Sequence, residues 1–114
     1  MRAIVINAED RTITETDLNV SLASLQQIVG GMIEPVTLGL DGIHHCYVNE
    51  EALLDHPQYF FMFRGGHQPL AGNGVILSLT EEGEEAPCTL PLEWVAERVD
   101  FMDLHAVRLW ARGH

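Results

Sequence analysis

The chain contains no lysine. Its permanent cations are 6 arginines, set against 17 acidic residues, and the formal net charge is −11. Nucleic-acid binding relies on Lys and Arg to neutralise phosphates. A chain without a basic footprint is therefore disfavoured as a direct DNA or RNA binder. Anionic membrane surfaces are disfavoured for the same reason. Cysteine is scarce as well, with only Cys46 and Cys88. A secreted domain of this size ordinarily carries more. Both thiols are expected to be reduced, which fits a cytoplasmic location. No charged n-region and apolar h-region open the chain, so no signal peptide is expected. No apolar run approaches about 18 residues, so no membrane span is expected either. Repeats, linkers and low-complexity tracts are also missing.

What is present is 114 residues, 46% of them hydrophobic. That length predicts one domain over 1–114. It can bury a core, though small domains keep much of their surface exposed.

Arg2 to Asn7 is β-branched and ends in turn formers, which predicts a strand. Arg11 to Thr16 follows the Ala8-Glu9-Asp10 turn as its hairpin partner. Ser21 is a good N-cap for a helix over Leu22 to Val29. Leu22, Leu25, Ile28 and Val29 share one face at helical spacing. Gly30-Gly31 then stops that helix. Met32 to Leu38 and Ile43 to Val48 predict a second hairpin around a Gly39-Leu40-Asp41-Gly42 turn. Asn49 caps a short helix over Glu50 to Asp55, acidic in its first turn as the helix dipole favours. Tyr59 to Phe63 is apolar and fits helix or strand. Val75 to Leu79 is a buried strand, and Thr80 to Ala86 an exposed acidic loop. Pro91 opens a helix over Leu92 to Arg98. From Val99 onward the pattern allows strand or helix. The fold class is α+β. A small mixed or antiparallel sheet is expected from two N-terminal hairpins and a later strand, with two to three short helices.

Several segments occur together in order: Arg2-Ala3-Ile4-Val5-Ile6, Gly30-Gly31, Ile33-Glu34-Pro35-Val36 and Tyr47-Val48-Asn49-Glu50-Glu51. Pro69-Leu70-Ala71-Gly72-Asn73-Gly74-Val75-Ile76 and Val99-Asp100-Phe101 follow. In this the chain resembles the uncharacterised bacterial and phage family catalogued as domain of unknown function 3846. The resemblance covers about 1–102 and leaves a C-terminal tail, 103–114. It implies a small stand-alone protein of phage or mobile-element type, and it brings no activity or catalytic residues with it. The chain departs from the family pattern at Tyr59 to Phe63, where members tend to be rich in Pro and Asn.

No catalytic constellation stands out, and the protein is expected not to be an enzyme and to need no cofactor. His44, His45, Cys46, His56, His67, Cys88, His105 and His114 are zinc-ligand types. His44 and Cys46 would share a strand face, which makes them weak metal candidates. None of the eight shows the paired spacing of structural zinc sites. The alternative is a partly buried Cys46 beside two surface histidines. Cys88 follows an acidic loop, whose negative charge would raise a thiol pKa and blunt its reactivity. The carboxylate run Glu81-Glu82-Gly83-Glu84-Glu85 reads as a solvated loop.

Gly65-Gly66-His67-Gln68-Pro69-Leu70-Ala71-Gly72-Asn73-Gly74 would present backbone N–H groups to an anion, as glycine-rich nests do. It matches neither the P-loop nor the dinucleotide fingerprint. Turn geometry alone also accounts for its glycines. Arg64, His67 and Asn73 are the ligand contacts it would offer. The aromatic run Tyr59 to Phe63 is expected in the core, with an exposed patch as the alternative.

Two functional expectations follow. The first is a non-enzymatic interaction module whose acidic surface, with Glu81, Glu82, Glu84 and Glu85 as contacts, docks on a host protein. A basic nucleic-acid-binding groove would suit it, because complementary charge speeds association. The alternative is a small-ligand domain that takes a nucleotide or other anion at loop 65–74. Self-association as a homodimer fits either. A halophilic or high-GC source would also give an acidic, lysine-free chain.

Overall fold

The computed structural model describes residues 1–38 and 42–113. Among the described residues nine strands run β1 (Arg2–Asn7), β2 (Thr12–Asp17), β3 (Ile33–Thr37), β4 (His44–Asn49), β5 (Tyr59–Phe63), β6 (Leu70–Ala71), β7 (Gly74–Leu79), β8 (Glu85–Ala86) and β9 (Val99–Asp103). Three α-helices join them: α1 (Leu22–Val29), α2 (Leu92–Arg98) and α3 (Leu104–Arg112).

The two N-terminal hairpins form as the sequence predicts. β1 pairs with β2, and β3 with β4, all antiparallel. The later strand β7 lies between them, so the main sheet runs β2-β1-β7-β4-β3, with β8 added alongside β7. This position explains why β7 reads as an unbroken apolar run. Val75 and Leu77 enter the core on one face of the sheet and Ile76 on the other. A strand covered on both faces has no side to leave polar. Pro35 falls in β3, an edge strand, where its missing N–H costs no ladder bond.

The two faces carry different layers. On one, Leu25 and Val29 of α1 pack on Ala3, Tyr47, Val75 and Leu77. Ser21 and Ser24 form a capping box at the start of α1, and Gly30 closes it in the left-handed conformation. On the other face, Ile4, Ile6, Cys46, Val48 and Ile76 meet Phe61, Val95 and Val99. Those last three belong to α2 and to a second, three-stranded antiparallel sheet, β6-β5-β9.

The ambiguous stretches resolve in specific ways. Tyr59 to Phe63 is a strand, with Phe60 and Phe61 buried and Tyr59 exposed. Its apolar run is the middle strand of the second sheet. The expected helix over Glu50 to Asp55 shortens to a single 3-10 turn at Ala52–Asp55. Asn49 does not cap it: the N-cap is Glu51, without a side-chain cap bond, and Asn49 instead accepts from the Glu51 N–H at 2.9 Å in the turn before it. Val99 onward is both alternatives in succession, β9 and then α3. The acidic loop Thr80 to Ala86 is a hairpin turn that ends in β8. Of the predicted turn at 39–42, residues 39–41 lie outside the described residues, as does His114.

Candidate functional site

The glycine-rich stretch divides into two parts with different jobs. Residues 64–68 form a turn after β5, and Gly65 takes φ +80°. Gly66 donates its N–H to the Phe63 carbonyl at 2.8 Å. A Cβ on Gly66 would lie 2.8 Å from that same oxygen, so the turn is closed to larger residues. Arg64 and His67 project from it.

This turn stands opposite the end of β3. Val36, Thr37, Leu38, Phe63, Arg64, Gly65, Gly66, His67, Gln68 and Leu70 line a cleft of about 390 Å³. Val36, Leu38, Phe63 and Leu70 also pack against the core, so the apolar wall is anchored. The cation is part of a loose exposed pair, with an Arg64 nitrogen 3.4 Å from an Asp100 oxygen. Such a pair contributes about 0–1 kcal/mol. An incoming anion can therefore compete for the guanidinium.

The second part, Gly72-Asn73-Gly74, is structural. Asn73 accepts from the Ala8 N–H at 3.2 Å and donates to the Ile28 carbonyl at 3.3 Å. Its amide ties β1 to α1 and lies away from the cleft, so of the three expected contacts the structure gathers Arg64 and His67 only. The β3 side of the cleft escaped the sequence reading. Val36 and Leu38 belong to the locally paired β3–β4 hairpin and its end, and the packing of that hairpin against the β5 turn is the part for which the local sequence carries no signal.

The metal candidates have other roles. His44 is buried rather than on the surface. Its Nε2 accepts from the Thr89 N–H at 3.2 Å. It thus helps hold the segment that links β8 to α2. That segment is also held by Arg2, whose guanidinium donates to the Cys88 and Leu90 carbonyls at 2.8 and 2.7 Å and to Glu15. Cys46 shares the face of His44, as expected, but it is fully buried, and burial pushes its thiol up to about 12. Cys88 is buried too, and the charged groups that act on it are Arg2 and Glu15 rather than the acidic loop. Burial pushes its thiol up, opposed by a backbone hydrogen bond at Leu90 and by Arg2. Among the described residues no three His, Cys, Asp or Glu side chains gather as a metal site.

The acidic side chains occupy both ends of the main sheet. The pairing sets Glu9 and Asp10, after β1, at the same end as Glu50 and Glu51, after β4. Glu81, Glu82 and Glu84 lie at the opposite end, on the tip joining β7 to β8. Glu85 is drawn back from that tip, and its carboxylate accepts from the Tyr47 hydroxyl at 3.2 Å.

Two antiparallel sheets with a cationic glycine turn over an apolar-walled cleft define the type of domain. By sequence the chain belongs to the family described as Domain of unknown function (DUF3846), whose model matches residues 1–103. No curated protein and no solved structure matches it. Among the described residues no helix is long and apolar enough to cross a membrane.

Proposed function

We propose that this protein is a non-enzymatic binding domain whose cleft takes a small molecule with an apolar or aromatic body and one anionic group, such as a nucleotide. One observation carries the reading. Arg64 and His67, on the tight glycine turn, share a cleft with Phe63, Leu70, Val36 and Leu38. Its size falls within the range of about 300–1,000 Å³ typical of small-ligand sites. Apolar walls with a few convergent polar groups are also what such sites share. The apolar walls would hold the body of the ligand, and Arg64 would exchange Asp100 for the anionic group.

The test is a thermal-shift screen with nucleoside 5′-monophosphates and aromatic carboxylates. A ligand that binds only the folded state raises the melting temperature, by the equivalent of about 2.7 kcal/mol at a hundredfold excess over Kd. The shift should vanish in Arg64→Ala and in Val36→Asp. No shift with any member of either class sinks the reading.

A second reading keeps the acidic hairpin as a protein-docking element. Glu81, Glu82 and Glu84 are all exposed at a single turn, where they would meet a basic groove on a host protein. Binding of this kind weakens as salt rises. A partner captured by the wild type and retained by an E81Q/E82Q/E84Q variant would refute it.

A further inference from the structure

We infer that two copies of this chain pair through a self-complementary patch formed by α3 and the 3-10 turn at Ala52–Asp55. On α3 the outward face is His105, Arg108, Leu109 and Arg112, spaced i, i+3, i+4, i+7. Among the described residues it is the helix face that carries cations without a carboxylate, in a chain of net charge −11. The helix packs on β9 and β5 yet contributes no buried residue to the core. It also lies beyond residue 103, where the family match ends.

Beside it lies the opposite kind of surface. Leu53 and Leu54 are each 73% exposed, an unusual state for two adjacent leucines in one short turn. Glu50, Glu51 and Asp55 surround them, all exposed. A cleft of about 350 Å³, lined in part by Leu53, Phe60, Leu104 and Arg108, joins the two surfaces. The patch is therefore half acidic and apolar, half basic and apolar.

A two-fold axis through that cleft sets each half on its complement in the other copy, as an isologous interface requires. Leu53 and Leu54 would meet Leu109 across the axis, and Glu50 and Glu51 would meet Arg108 and Arg112. Elsewhere two copies repel one another, because both are strongly acidic. That repulsion favours the one orientation that brings α3 against the acidic turn.

Sedimentation equilibrium of the full chain tests this. The expected result is a species of twice 12.7 kDa. Its dissociation constant should rise at least about tenfold, or 1.4 kcal/mol, in Leu53→Asp and in the pair Arg108→Glu and Arg112→Glu. These positions are exposed, so circular dichroism should show the fold intact in each variant. Mixing the Arg108→Glu, Arg112→Glu chain with a Glu50→Arg, Glu51→Arg chain should restore pairing, because opposite charges then face each other. A chain that stays monomeric to about 1 mM overturns the proposal. So does a dimer that none of these substitutions weakens.

Discussion

Gly74 offers the sharpest test of how the two layers fit. Its φ is not in the left-handed region, so backbone freedom is not what it supplies. It supplies space. A Cβ at this position would lie 2.7 Å from Cys46 Sγ and 2.8 Å from Phe61 Cζ, and both side chains are fully buried. Neither can swing into solvent. Gly74→Ala should therefore force the β5 layer away from the main sheet. Overpacking of this kind costs about 1–3 kcal/mol. The loss of glycine freedom in the unfolded chain returns about 0.4–1 kcal/mol. The net expectation is destabilisation of about 1–2 kcal/mol, or a fall of about 4–8 °C in Tm for a chain of this length. Urea unfolding of the single variant measures it. Repeating it in a Cys46→Ala background removes one of the two clashes, and the penalty should shrink by about 0.5 kcal/mol or more. A neutral or stabilising Gly74→Ala would refute the close-approach argument. An unchanged penalty in the Cys46→Ala background would refute the part assigned to the sulfur.

Three further outcomes are expected. Asn73→Ala removes both amide bonds and leaves the Ala8 N–H without that partner, so stability should fall by about 1–3 kcal/mol, with any ligand response of the cleft retained. The thiols should be silent to a maleimide in the native protein and react with a stoichiometry of 2 in denaturant, since Cys46 and Cys88 are both buried. Fast labelling of either thiol under native conditions would contradict their burial. Stability should also decline in alkali. Burial pushes Cys46 up from 9.0 to about 12. Burial, aided by Glu85, pushes Tyr47 up from 10.0 to about 12. The folded state therefore holds protons that the unfolded chain releases. The stabilisation is complete below about pH 9 and is lost as pH rises toward 12. Tyr47→Phe should flatten part of that decline in urea titrations across this range.

Much of the architecture can be read locally, because its signals are local. Ser21 and Gly30 bracket α1, and the β-branched runs of β1 and β2 announce a hairpin. The second sheet is hidden for a physical reason. Tyr59 to Phe63 becomes a strand only by pairing with β6 and β9, and β9 lies some 40 residues away. Register and layer order are likewise long-range facts, so nothing near Cys88 hints that Arg2 anchors it. The candidate site shows the same division. Arg64 and His67 are marked by the glycines between them, whereas the wall from Val36 to Leu38 comes from another hairpin. Asn73 looks like a loop amide in sequence, and only the fold shows that both its polar atoms are engaged.

The place of β7 also bears on how the chain emerges during synthesis. Both hairpins are finished by Asn49, yet β1 and β4 each wait for β7 as their second neighbour. Until Leu79 has left the ribosome, the nascent chain carries two bare strand edges, on β1 and β4, that the finished sheet covers. Open edges are templates for pairing with other chains. A premature stop between Asn49 and Gly74 leaves both permanently bare, so such fragments should clump rather than survive as half a domain. A chain ended after Asp103 keeps every strand of both sheets.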